Sequence, residues 1–83
     1  MPKRFDILVG RNIERARQAA GLSRESLSAQ LGWLPWELEA CEKGLRSPGA
    51  MEMASLAYML KVPLSELLRA EGRARRAAGG DAP

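Results

Sequence analysis

The sequence predicts a compact all-α domain of five short helices. Apolar residues recur at steps of three and four almost throughout, no run alternates as a half-buried strand would, and glycines or prolines punctuate the periodic stretches. At 83 residues the chain holds one small core. A hydrophobic fraction of 46% with 28% charged residues is globular rather than disordered composition.

Val9, Ile13, Ala16 and Ala20 share one face of a first helix over residues 6–20, and Gly21 stops it as a glycine past a helix end does. Ser23 is the N-cap of a second helix, although Ser26 lacks the acid or amide that would complete a capping box. Leu27 and Leu31 form the inner edge of that helix and Gly32 closes it. A third segment spans 35–43, with Leu38 and Cys41 inward and Gly44 as its stop. Pro35 suits its first position, where a missing N–H leaves nothing unpaired, but Leu34 before it has no side chain able to cap. Residues 46–49 form a turn-rich loop. A fourth helix over 50–60 aligns Met53, Leu56, Ala57 and Leu60 until Lys61-Val62-Pro63 breaks it. A fifth, over 64–70, uses Leu64, Leu67 and Leu68. The domain is therefore expected at 1–70, followed by a basic, flexible tail at 71–83 where the apolar period is lost.

Several function classes drop out. There is no His and one Cys, so a Cys/His zinc site cannot form and the commonest general base is missing. Glu37 and Glu39 lie two apart on a helix and face different ways. No metal, no cofactor and no enzymatic activity are expected. No apolar run approaches the roughly 20 residues of a membrane span, and the start lacks a signal-peptide core, so a cytoplasmic location is expected. The net charge of +3 is unevenly spread, at +4 over residues 1–24, −3 over 25–45 and +2 from Arg69 onward. Basic ends around an acidic middle suit a polyanion-binding surface, and they suit a solvated helical domain too.

Residues 21–44 carry more information. A helix of about eight residues, a glycine-led turn and a second short helix is helix-turn-helix spacing. Val9-Gly10-x-x-Ile13, Ala16-Arg17, Gly21-Leu22-Ser23, Leu27 through Gly32, Leu38-x-x-Cys41-Glu42-Lys43-Gly44-x-Arg46-x-Pro48 and Leu56-Ala57-x-x-Leu60-x-Val62-x-Leu64-x-Glu66-Leu67-Leu68 stand in register over most of the chain. This set resembles the phage-repressor/Cro-like (XRE) helix-turn-helix family. The resemblance implies a lambda-repressor-like fold and a DNA-binding transcriptional regulator, homodimeric on double-stranded DNA, with half-sites about 34–36 Å apart and the fifth helix in the dimer seam. It places Pro35, Trp36, Glu37, Glu39 and Ala40 against the bases. Ser23 and Arg24 match phosphate-binding positions, with Arg11, Lys43 and Arg46 as flanking cations and Arg73, Arg75 and Arg76 able to add to them. Arg17 and Glu42 match a structural salt bridge, whose bland alternative is two solvated charges. A nucleoid-associated location would follow.

One departure matters. Readers of bases usually present Gln, Asn, Arg, Ser or Thr at the start of the third helix, whereas this chain offers two carboxylates, an indole and no cation. Glu37 or Glu39 could accept from cytosine N4, and Trp36 could cover a thymine methyl. Leu34 and Trp36, if exposed, make an apolar patch suited to a protein partner. The alternative reading is therefore a helix-turn-helix scaffold used as a protein-interaction module, as an antitoxin, a co-regulator or an RNA-polymerase-contacting factor. Trp33 and Cys41 are expected in the core, and Met51, Met53 and Met59 in the core or a dimer seam.

Overall fold

In the computed structural model the helices are α1 (Arg4–Ala19), α2 (Arg24–Leu31), α3 (Pro35–Glu42), α4 (Ala50–Leu60) and α5 (Leu64–Leu68). The structure describes residues 3–70, among which there is no strand. The expected tail, with Arg73, Arg75 and Arg76, lies outside the described residues.

Two helix boundaries differ from expectation by two residues, and the ends of α1 and α3 by one. α1 begins earlier, at Arg4, where Lys3 is the N-cap and its carbonyl accepts from the Ile7 N–H at 3.0 Å. α5 ends earlier, at Leu68, because the buried Asn12 amide on α1 donates to the carbonyls of Leu67 (2.9 Å) and Arg69 (2.8 Å). A continuing helix would use those carbonyls itself.

The first four helices end alike. After each, a backbone N–H reaches back five residues to a helix carbonyl: Leu22 to Arg17 at 3.1 Å, Trp33 to Ser28 at 2.9 Å, Leu45 to Ala40 at 2.9 Å and Val62 to Ala57 at 3.1 Å. This Schellman closure places one residue in the left-handed region, filled in turn by Gly21, Gly32, Gly44 and Lys61. Gly44 is doubly constrained, because at φ 78 a Cβ there would also lie 2.8 Å from Ile7 Cγ1. The closures keep the connections short, so α3 leaves α2 after a turn of three residues (32–34).

The core is formed by Val9, Ile13, Leu27, Leu38, Cys41, Met53, Leu56, Ala57, Leu60 and Leu67. α1 packs on α3, α4 and α5, and α2 packs on α3 and α4. Leu27 and Leu38 are fully buried and hold the second and third helices together. Some expected inward positions lie outside the buried core. Ala20 is an exposed C-cap rather than a face residue. Met51, expected in the core or a dimer seam, is not in the core: it is 82% exposed, on the side of α4 opposite Met53 and Leu56. Trp33 is half-buried and packs against the core.

α1 also comes unusually close to α3. A Cβ on Gly10 would sit 2.4 Å from the Cys41 carbonyl oxygen and 2.5 Å from that of Glu42. A mid-helix glycine costs roughly 1 kcal/mol relative to alanine; here it lets the backbones of α1 and α3 meet.

Candidate nucleic-acid interface

α3 has two faces. Leu38, Cys41 and Glu42 are buried, while Trp36, Glu39, Ala40 and the C-cap Lys43 form the opposite stripe at helical spacing. Trp36 is 63% exposed and the neighbouring Leu34 is 54% exposed. Pro35 is exposed, and Glu37, Glu39 and Ala40 are half-buried.

The start of α3 is capped in an unexpected way. Leu34 occupies the N-cap with no acceptor, yet its N–H donates to Glu37 Oε1 at 2.9 Å. This is the reciprocal half of a capping box on its own. α4 repeats it, with the Gly49 N–H donating to Glu52 Oε1 at 3.0 Å. Glu37 is thus engaged by its own helix start.

The inner face is tied down by charge. Glu42, whose side chain is 1% exposed, accepts from Arg17 Nε at 2.6 Å and Arg17 Nη2 at 3.1 Å. Arg24 Nε donates to the same carboxylate at 2.8 Å, and Arg24 Nη2 lies 3.8 Å from Glu14. Arg17 Nη1 adds a bond to the Leu22 carbonyl at 2.9 Å. α1, the turn after it, α2 and α3 therefore meet on one carboxylate. The hydrogen bond to Glu42 raises Arg24 above the usual arginine range despite some desolvation. The basic start of the chain and its acidic middle partly neutralise each other here.

The outer face carries a second pair, Lys43 Nζ to Glu39 Oε2 at 2.8 Å. The bond from Lys43, and then its charge, hold the Glu39 carboxyl below the usual carboxylate range. Arg46, just past α3, pairs with Glu52 Oε2 at 2.7 Å, donates to Cys41 Sγ at 3.1 Å and lies 5.2 Å over the Trp33 ring. The bond to Glu52 raises Arg46, and the bonds from Arg46 and the Gly49 N–H lower Glu52. Burial pushes the Cys41 thiol up, against the pull of Arg46.

The remaining sequence-predicted residues lie around this helix pair. Ser23 Oγ accepts from the Ser26 N–H at 3.0 Å at the start of α2. Arg11 is exposed on α1, beside a shallow surface depression it shares with Glu14, Arg15 and Gln18. Arg24, Lys43 and Arg46 each stand against a carboxylate while keeping 32%, 56% and 33% of the side chain exposed. Among the described residues no cluster of three metal-ligating side chains occurs and no helix is long and apolar enough to cross a membrane.

Sequence reasoning overlooked Asn12, the close backbone approach at Gly10, Glu14 and the capping role of Glu37. Each had a signal: a polar residue beside the inward Val9 and Ile13, a glycine inside a helix, a carboxylate ten residues before Arg24, and a Leu34-x-x-Glu37 spacing at a helix start. Ser28 on α2 is fully buried and its hydroxyl has no partner among the described residues.

No protein-family model matches the chain. An uncharacterized HTH-type transcriptional regulator, y4dJ of Sinorhizobium fredii (strain NBRC 101917 / NGR234), is 36% identical over 61 residues, covering 74% of this chain and 79% of the relative. A second, from Sinorhizobium medicae (strain WSM419), is 34% identical over 64 residues, or 77% of this chain but only 46% of the relative, so the chain spans about half that protein's length. Among solved structures, the restriction-modification controller protein C.AhdI from Aeromonas hydrophila superposes with a TM-score of 0.70 at 28% identity, covering 74% of this chain and 92% of that one. The DNA-binding domain of BldD superposes with a TM-score of 0.74 at 25% identity, covering 83% and 100%.

Proposed function

The chain belongs to the helix-turn-helix transcriptional regulators, and from that premise we propose that it binds double-stranded DNA as a homodimer with α3 in the major groove. The observation that carries this reading is the outward stripe of Trp36, Glu39, Ala40 and Lys43 on a helix whose other face is anchored through Glu42. Base readout needs a helix held at a fixed angle, and a carboxylate shared by two arginines supplies that constraint. The C.AhdI and BldD likenesses support the reading, since one protein is a restriction-modification controller and the other matches through a DNA-binding domain.

In this arrangement Pro35, Trp36, Glu39 and Ala40 face base edges, with Glu37 at the rim. Arg11, Ser23, Arg24, Lys43 and Arg46 approach phosphates. The paired cations keep enough exposed surface to touch a phosphate while a carboxylate holds them in place. Leu64 and Leu68, 42% and 40% exposed on α5, are available to a dimer seam, whereas Leu67 closes the core. Regulation of transcription in the cytoplasm, on the nucleoid and without catalysis or a cofactor, completes the proposal.

A binding titration against genomic fragments at two salt concentrations tests it. The expected result is a fragment preferred over competitor DNA by about a thousandfold or more, with affinity falling by roughly 0.9 log units per phosphate contact for each tenfold rise in salt. Equal binding to every fragment would defeat specific recognition.

The exposure of Leu34 and Trp36 supports a second reading, in which this corner grips a protein such as a toxin or part of the transcription machinery. In that case Trp36→Ala abolishes partner capture and leaves DNA affinity unchanged.

A further inference from the structure

We infer that Glu39 determines the base preference of α3 by accepting from the exocyclic amino group of a cytosine, and that Glu37 reads no base. This rests on the DNA-binding reading above and separates two carboxylates that the sequence leaves equivalent.

Glu37 Oε1 is occupied by the Leu34 N–H at 2.9 Å, which turns that carboxylate back toward the start of its own helix. Glu39 stands on the outward stripe, three residues after Trp36 and four before Lys43, beside the small Ala40. Lys43 Nζ lies 2.8 Å from Glu39 Oε2, and the Glu39 side chain is 41% exposed. An ionised carboxylate only accepts hydrogen bonds. In the major groove only cytosine N4 and adenine N6 donate, and adenine places the acceptor N7 beside its amino group. A carboxylate is repelled by that N7, whereas the edge of cytosine next to N4 carries no acceptor. Cytosine is therefore the base that fits.

The cost of bringing a carboxylate near DNA is also met locally. Lys43 cancels the charge of Glu39 at contact distance, so the pair enters the phosphate field as a neutral unit. Trp36, one turn earlier, adds an apolar surface of the kind that covers a thymine methyl.

Selection of the full chain against a randomised duplex library tests the assignment. The wild type is expected to recover a motif with a fixed cytosine in each half-site. Glu39→Gln should replace it with adenine, since an amide pairs with adenine N6 and N7, reversing the preference at that position by roughly tenfold while the other positions stay. Glu39→Ala should lose the cytosine without gaining adenine, and Glu37→Gln should keep the wild-type motif. A Glu39→Gln motif identical to wild type, or a changed base that follows Glu37 instead, would overturn the assignment while leaving DNA binding intact. A wild-type chain that recovers no motif overturns the DNA reading itself, and this inference with it.

Discussion

Glu42 and Glu39 lie three residues apart on α3, and each has a cation within 3 Å (Arg17 at 2.6 Å, Lys43 at 2.8 Å), yet the two pairs do opposite things. The Glu42 side chain is 1% exposed and joins α1, α2 and α3; the Glu39 side chain is 41% exposed and pairs with Lys43 at its own helix's end. Burial makes the difference. A desolvated pair becomes scaffold, because losing one partner strands the other in a poor solvent, whereas an exposed pair contributes little to stability and stays available to a ligand. One short helix thus carries its anchor and its reading surface on opposite sides.

Removing the anchor should have the largest effect. Glu42→Ala leaves Arg17 buried without its carboxylate and is expected to cost about 3–5 kcal/mol, read by chemical denaturation. Glu39→Ala should leave the denaturation midpoint essentially unmoved. Equal losses in the two variants would erase the contrast.

Gly10→Ala sharpens the comparison by acting on the anchored side without touching a charge. The new Cβ would lie 2.4 Å from a Cys41 carbonyl oxygen, so α3 must shift away from α1 at a cost of about 1–3 kcal/mol. The same measurement reads it. An unchanged midpoint would mean that the two backbones are not held in contact.

Ser28→Ala probes the packing between α2 and α3 from the other direction. The Ser28 hydroxyl is buried and unpartnered among the described residues, so its removal should stabilise the fold by about 1 kcal/mol. A loss of stability would show that the hydroxyl makes a bond in solution.

The smallest effect is expected in acid. Lys43 lowers Glu39, and Arg46 lowers Glu52. A carboxyl with a depressed folded pKa contributes stability above its ordinary value near 4.3, and that contribution is lost as pH falls through the folded pKa. For Glu52, a third exposed, this amounts to less than about 1 kcal/mol. Glu52→Gln should flatten the decline in midpoint below about pH 4; a slope identical to wild type would remove Glu52 as a contributor.

Much of this fold was legible because local rules and tertiary packing agree. The stops at Gly21, Gly32 and Gly44 and the inward positions of Leu27, Leu38 and Leu56 follow from turn chemistry and helical period alone. Where the reading missed, a distant partner decided. α5 ends at Leu68 because Asn12, fifty-five residues before Leu67, binds its last carbonyls, and no local pattern reports such a contact. Glu37 and Glu39 were equivalent in the sequence as candidate base contacts; a backbone bond from Leu34 to Glu37 distinguishes them. Arg24 and Arg46 read as open cations because their carboxylates lie eighteen and six residues away.

The most direct test of the central claim is an NMR titration of the isotope-labelled chain with its preferred duplex. The largest amide shifts are expected at Trp36, Glu39, Ala40 and Lys43 and at the start of α2, with Leu38 and Glu42 moving little. Shifts confined to the exposed side of α4 around Met51 and Tyr58, or none on α3, would contradict it.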